Sequence, residues 1–182
     1  MYPFYLGIDL HLKRSYAVLM DNTGQVLDER RLLNDEFEQY LKDVVPKNSY
    51  AVLEATRNWP FMYDLLQEHL ERVELAHPKE LKAIAAEVVK EDPIDSKNLA
   101  NLARLNFLPI AYAAPKAIRD QRTYIRHREW LVNQRTRCKN RVHAVLATYN
   151  LVSPVSDLFG AQGRQYLAEA TTALQPGAKR LI

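Results

Sequence analysis

Short apolar runs separated by polar turns dominate the first third of the chain. Residues 4–9 form an apolar run that ends in Asp9, residues 15–20 form a second run, and residues 25–33 alternate apolar with polar side chains. Residues 21–24, with the sequence DNTG, separate the second and third runs, and such residues are common in hairpin turns. The pattern predicts three consecutive strands, of which the second and third form a hairpin.

Helical and strand patterns then alternate. Apolar side chains with helical spacing predict a helix over residues 35–45, capped by Asn34 and ended by Pro46. The further predicted elements are strands at 49–54 and 72–76 and helices at 60–70, 81–89 and from Asp92-Pro93 to about 105. Three meandering strands followed by this alternation predict an α/β fold, a mixed sheet flanked by helices in the order of the ribonuclease-H-like (RuvC-like) fold.

A different pattern begins at Pro115. Residues 116–149 contain neither Gly nor Pro, and they predict one helix of about 34 residues and about 50 Å. Its apolar residues recur at intervals of seven, at Tyr124, Leu131, Cys138 and Val145. Such a long helix usually pairs with another helix. We therefore expect a coiled-coil-like segment that joins chains into a homo-oligomer, either a dimer or a tetramer.

These patterns divide the chain into three predicted regions. Residues 1–112 form the α/β domain, residues 115–150 form the long helix, and residues 151–182 form a tail with a weak helical pattern at 165–174.

A hydrophobic fraction of 47% with 26% charged residues is typical of globular domains. No apolar run approaches the length that crosses a membrane. Because Cys138 is the single cysteine, we expect no internal disulfide and a cytoplasmic location.

Positive charge is concentrated in the long helix. Residues 115–149 contain nine Lys and Arg against two acids, so this segment is +7 and the rest of the chain, from a total of +3, is −4. A basic arm beside an acidic body suggests a polyanionic partner, although a solvated basic helix face explains the count equally well. The candidate phosphate contacts are Lys13, Arg119, Arg122, Arg126, Arg135, Lys139 and Arg141.

Four carboxylates stand at places where the predicted fold brings the chain together. Asp9 ends the first strand and Glu54 ends the fourth, while Asp92 and Asp95 are three residues apart at a helix start. Two Mg²⁺ ions, or Mn²⁺ in their place, need carboxylate ligands of this kind to cleave a phosphodiester. Each acid also has an ordinary explanation, as a polar strand end for Asp9, a cap of the next helix for Glu54, or a helix start for the aspartate pair.

Longer segments of the sequence carry a family resemblance. The segments GIDLHLKRSYAVL, AVLEATRNWPFMYDLL, AHPKELKAIA and VKEDPIDSKNLANLA resemble the amino-terminal DEDD domain of insertion-sequence transposases related to the Piv DNA invertase. The resemblance covers about residues 4–150. It implies that Asp9, Glu54, Asp92 and Asp95 are the catalytic and metal-binding acids of a RuvC-like domain, with Lys90 as the motif lysine. Ser96 stands where the family usually has Ala, and we expect no consequence from this difference.

The resemblance also implies a recombination activity. Members of the family act on DNA, combine the DEDD site with a serine of a second domain in a composite site, and use a structured guide RNA. Neither Ser153 nor Ser156 lies in a matching context. We therefore expect the second domain to be missing from this chain, and we expect the chain to be inactive alone.

Three other functions remain open from the residues themselves. A stand-alone RuvC-like nuclease or resolvase would use the same four acids on branched DNA. A nucleic-acid-binding and dimerisation module without chemistry would use only the basic helix. A phosphotransferase of the actin and sugar-kinase type shares the opening strand and hairpin, but the sequence lacks its second glycine-rich phosphate loop, so we rank it last.

Overall fold

The computed structural model describes residues 1–84, 92–174 and 177, with only the backbone of residues 92–94 and 173. Two compact units make up the chain, Met1–Ala113 and Ala114–Ile182, and each is described by itself. The predicted helix at 81–89 lies partly outside the described residues.

The first unit is built on a six-stranded mixed sheet. Its strands are β1 (Phe4–Leu10), β2 (Arg14–Asp21), β3 (Val26–Leu33), β4 (Ser49–Glu54), β5 (Arg72–Ala76) and β6 (Ile110–Ala111), in the spatial order β3-β2-β1-β4-β5-β6. β1 pairs in parallel with β4, and β4 with β5, whereas the β1–β2, β2–β3 and β5–β6 pairs are antiparallel. The predicted fold class, an α/β fold of the ribonuclease-H-like kind, is confirmed.

The described part of the first unit contains four helices. They are α1 (Phe37–Asp43), α2 (Trp59–His69), α3 (Pro78–Ile84) and α4 (Asp92–Arg104). α1 and α2 pack on one face, where Phe37 and Leu66 meet alternate strand residues such as Leu6 and Ile8. α4 packs on the opposite face, where its Leu99 and Ala100 join the other strand residues. Because strand side chains alternate between faces, each face has its own core.

Asn34 has a role that the sequence reading missed. The prediction that Asn34 caps α1 is wrong, because that helix begins after Glu36 and has no side-chain cap hydrogen bond. Instead, the Asn34 Nδ2 donates to the carbonyl oxygens of His11 and Leu12 at 2.9 and 3.2 Å, and its Oδ1 accepts the Ser15 hydroxyl at 2.6 Å. Asn34 therefore holds the turn between β1 and β2.

The second unit contains α5 (Lys116–Thr148), α6 (Ala161–Ala170) and a short 3-10 helix (Thr171–Ala173). The long predicted helix is confirmed, while α6 begins four residues before the predicted one. Val142 and Leu146 of α5 are buried against Leu158, with residues of α6 beside them. None of the helices in the described part of the chain combines the length and apolar character needed to cross a membrane.

Candidate metal centre

The carboxyl ends of the two middle strands carry the first two predicted acids. β1 and β4 run in parallel with Ile8 opposite Leu53, so Asp9 and Glu54 occupy the next pair of positions. Neighbouring strands lie about 4.8 Å apart, which makes these two residues backbone neighbours although 45 positions separate them in the sequence. The Asp9 side chain is 17% exposed, and Glu54 is also partly buried.

Strand alternation places both acids on the face that α4 covers. Tyr5 belongs to the core beneath α4, whereas Leu6 and Ile8 belong to the opposite core, so Asp9 shares the face of Tyr5. On β4, Tyr50 and Val52 belong to the α4 core, and Glu54 follows them in the same alternation. The arrangement of the sheet therefore directs both acids towards the side on which α4 lies.

A glycine in β1 allows α4 to approach the sheet closely. A β-carbon added at Gly7 would lie 1.9 Å from the Ser96 carbonyl oxygen and 2.8 Å from the Ala100 nitrogen. Any side chain at position 7 would therefore push the first half of α4 away from β1. Since Gly7 precedes Asp9 by two residues on the same face, this close contact fixes the distance between Asp9 and the start of α4.

Ser96, the fifth residue of α4, ties the start of this helix directly to Asp9. The Asp9 backbone N–H donates to the Ser96 Oγ at 3.0 Å, and the Ser96 hydroxyl donates to the Tyr16 carbonyl oxygen at 2.9 Å. Ser96 is completely buried, and Asp9 is paired with Tyr16 across β1 and β2. The expectation that serine at this position has no consequence was incomplete, because its hydroxyl joins α4 to both strands.

The other two predicted acids lie at this end of α4. Asp92 begins the helix, and its side chain lies outside the described residues. Asp95 precedes Ser96 and is partly buried. Considering only the side chains that the structure describes, no group of three or more Asp, Glu, His or Cys residues is arranged to hold a metal ion. Asp9 and Glu54 thus stand side by side, and the first turn of α4 brings Asp95 to the same end of the sheet.

A histidine beside Asp9 was not singled out from the sequence. The His11 Nε2 lies 3.0 Å from the Asp9 Oδ2, and the His11 side chain is half exposed. The backbone of His11 is held in turn, because its carbonyl oxygen accepts hydrogen bonds from the Asn34 and Asn58 amides. The two-residue spacing between Asp9 and His11 after a buried strand was the signal available in the sequence.

The surroundings of Glu54 exclude its alternative role as a helix cap. α2 begins at Trp59 with Asn58 as its N-cap residue and has no side-chain cap hydrogen bond. Trp59 packs edge-on against Tyr63 with ring centroids 5.5 Å apart, and Tyr63 is buried. These two aromatic residues belong to the packing of α2.

The other ends of β1 and β4, away from Asp9 and Glu54, carry a cluster of aromatic residues. The Arg72 guanidinium lies 4.6 Å from the ring centroid of Tyr50 and 3.2 Å from a carboxylate oxygen of Glu74. Burial raises the pKa of Tyr50 to about 12, although the charge of Arg72 acts in the other direction. Packing and ion pairing therefore account for the residues at this end of the sheet.

The predicted phosphate contacts of α5 are distributed around the helix. Arg122, Arg126, Arg135 and Arg141 are exposed. Arg119 and Lys139 are partly buried, and the Lys139 ammonium lies 4.7 Å from the Phe159 ring centroid. Lys13, in the turn after β1, is exposed in the first unit.

A mixed sheet of this order, with acids at the ends of its middle strands and a helix docked over them, defines the chain as an α/β protein of the ribonuclease-H-like class. A family model for DEDD transposases of the IS110 type, described as transposase, matches residues 6–151. The chain therefore belongs to this transposase family, whose members cleave and recombine DNA. A comparison with curated protein sequences found no match.

Proposed function

We propose that this chain supplies the RuvC-like half of the strand-exchange site of a mobile-element transposase. The observation that carries the proposal is the geometry at one end of the sheet. Asp9 and Glu54 end adjacent parallel strands, and the Ser96 hydroxyl holds the start of α4 to the Asp9 backbone. The family match supplies the class of reaction.

The chemistry of this donor set fits divalent metal ions. Asp9, Glu54, Asp92 and Asp95 offer hard oxygen ligands, which Mg²⁺ and Mn²⁺ prefer. Two such ions stabilise the attacking and leaving oxygens of a phosphodiester. The four residues of this chain would hold and space the ions, while Ser96 and Gly7 keep the helix and the strand at a fixed distance. Crowding of carboxylates at a partly buried site also makes cation binding favourable.

Two finer features of the proposal concern partners. We propose a structured guide RNA as a second nucleic acid, because the family resemblance implies one and the long basic surface of α5 could contact it. We also propose that the exposed apolar residues of α5 join chains into a coiled-coil homo-oligomer, and that the chain alone is inactive because the composite site needs a serine from another domain. The closer relation to the Piv DNA invertase is a prediction from the sequence.

Metal titration tests the site itself. Mn²⁺ binding to the chain should be measurable by calorimetry and should be lost or greatly weakened in Asp9→Asn and in Asp95→Asn. The matched control is Asp43→Asn, because Asp43 is an exposed acid of α1, on the opposite face of the sheet. Equal Mn²⁺ affinity in all four proteins would contradict the proposal.

Activity assays separate the alternatives. In a recombination assay with the element's DNA and its complete transposase, Asp9→Asn and Asp92→Asn should reduce recombination to background. Metal-dependent nicking of branched DNA by this chain alone would instead favour a stand-alone nuclease. Nucleic-acid binding without any metal binding would favour a non-catalytic module.

A further inference from the structure

One side of α5 carries a row of arginines. At 3.6 residues per turn, Arg122, Arg126, Arg137 and Arg141 fall within an arc of about 100°. All four are exposed, and none of the ion pairs found in the described residues includes them. Arg137 was not among the sequence-based candidates, because the count of basic residues did not resolve the helix into sides.

Trp130 lies in the middle of this arginine row. Its ring stacks on His127 with centroids 5.8 Å apart and an interplanar angle of 17°, yet Trp130 remains 54% exposed. Arg126 is one turn before it and Arg137 is two turns after it along the helix. A flat aromatic surface between exposed guanidinium groups has the chemistry that binds unpaired nucleotides, since bases stack on the ring while arginines contact phosphates.

The apolar residues of α5 occupy a different side. Tyr124, Leu131 and Cys138 fall within an arc of about 40°, centred more than about 120° from the arginine row. Pairing of two helices through this apolar side leaves the arginine row outside the seam. Pairing through the arginine row would instead bring like charges together, which is unfavourable. The two sides are therefore suited to different partners.

We propose that Trp130 and the arginine row of α5 (Arg122, Arg126, Arg137 and Arg141) form a subsite for an unpaired segment of a polynucleotide. An unpaired base stacks on the Trp130 indole, and the flanking arginines hold the phosphates on either side of it. The inference rests on the proposed function only in taking a nucleic acid as the partner of α5. RNA and DNA strands share the stacking and phosphate chemistry, and the experiment distinguishes them.

Fluorescence of Trp130 provides a direct test. The chain has two tryptophans, so Trp59→Phe leaves Trp130 as the only indole, and circular dichroism checks that the fold is retained. The variant is titrated in EDTA with oligouridylate and oligodeoxyuridylate of about 12 nucleotides, which differ only in the sugar, and with a fully paired duplex of the same length. We expect quenching by at least one single strand, and weaker binding of the duplex. The single strand that binds more tightly shows whether the subsite prefers ribose or deoxyribose.

Substitutions then separate stacking from charge. Anisotropy of a labelled strand measures single-strand binding. Trp130→Ala should weaken this binding by about tenfold, while Trp130→Tyr should retain most of the wild-type affinity. The double variant Arg126→Ala/Arg137→Ala should weaken binding more than the double variant Arg128→Ala/Arg135→Ala. The second double variant is the control, because it removes the same charge from the side of α5 near the apolar residues. Equal losses in the two double variants would overturn the proposal.

Other outcomes also overturn it. Absence of quenching at saturation, or equal affinity for the paired and unpaired oligonucleotides, would exclude a stacking subsite. A Trp130→Ala variant that dissociates an oligomer without changing single-strand affinity would identify another copy of the chain as the partner. Asp9→Asn should leave the Trp130 titration unchanged, so failure of the metal site and failure of this subsite can be told apart.

Discussion

At the scale of single residues, the position of Asp9 depends on two neighbours that carry no charge. Ser96 holds the Asp9 backbone from α4, and Gly7 provides the room that lets α4 come this close. Sequence reasoning identified the acids from their places at strand ends and a helix start. It had no means of identifying these two residues, because a hydrogen bond across 87 positions and a close contact of backbones leave no local pattern.

Removal of the Ser96 hydroxyl should affect both stability and metal binding. Ser96→Ala leaves the partly buried Asp9 amide without its side-chain acceptor, so we expect the free energy of unfolding to fall by about 1–3 kcal/mol. We also expect Mn²⁺ affinity to fall by about tenfold, as for other residues that orient metal ligands. Urea unfolding and calorimetry measure the two effects.

A second buried serine serves as the control for that prediction. Ser49 is completely buried at the opposite end of β4 and donates to the Pro46 carbonyl oxygen. Ser49→Ala should lower stability without changing Mn²⁺ affinity. If both variants lost affinity in proportion to their lost stability, Ser96 would have only a structural role.

A side chain at position 7 should separate the helix from the strand. In Gly7→Ala, the new β-carbon collides with the backbone of α4, and the resulting shift should cost about 3 kcal/mol and weaken Mn²⁺ binding. Thermal unfolding and titration of the same samples measure these effects. Gly177→Ala is the comparison, because an added β-carbon there meets nothing within 4 Å, so this variant should not lose stability.

At the scale of elements, the sequence predicted the strands and helices best where the apolar pattern was long. β1 to β5 and α5 follow directly from periodicity, and the order of these elements indicates the sheet. β6 was missed because two residues are too short for a period. Asn34 was misassigned because an asparagine that precedes a helix can equally well bridge a turn, and only the tertiary structure decides between the two.

The apolar side of α5 leads to a prediction about assembly. Tyr124 is 73% exposed and Leu131 is 50% exposed, whereas Val142 and Leu146 near the end of the helix are buried. If chains pair through the exposed part, Leu131→Glu should weaken association by at least about tenfold, because a buried carboxylate is strongly unfavourable. Sedimentation across a concentration series measures the association.

The control for the assembly prediction introduces the same charge on the other side. Asn133 is exposed and lies on the side of the arginine row, so Asn133→Glu should leave the association constant unchanged. A wild-type chain that stays monomeric at every concentration, or two variants that behave alike, would contradict pairing through the apolar side.

At the scale of the whole molecule, charge divides the chain into two different parts. Residues 1–113 contain 13 basic and 18 acidic residues, whereas residues 114–182 contain 12 basic and 4 acidic residues. The first unit is thus acidic overall and carries the proposed metal site, and metal ions would be needed there to offset repulsion between carboxylates and phosphates. The second unit is basic and attracts polyanions without metal.

This division predicts how nucleic-acid binding depends on salt. In EDTA, contacts by the second unit should dominate, and four arginine–phosphate contacts should give a log–log slope of about −3 for a single strand. Each Arg→Ala substitution in the arginine row should reduce the slope by about 0.7, because one fewer counterion is released. Arg57→Ala, at an exposed position of the acidic unit, should leave it unchanged. Anisotropy between about 50 and 200 mM salt measures the slope. A slope near zero would contradict the prediction. So would a slope that Arg57→Ala reduces as much as Arg126→Ala, because the phosphates would then be bound outside the arginine row.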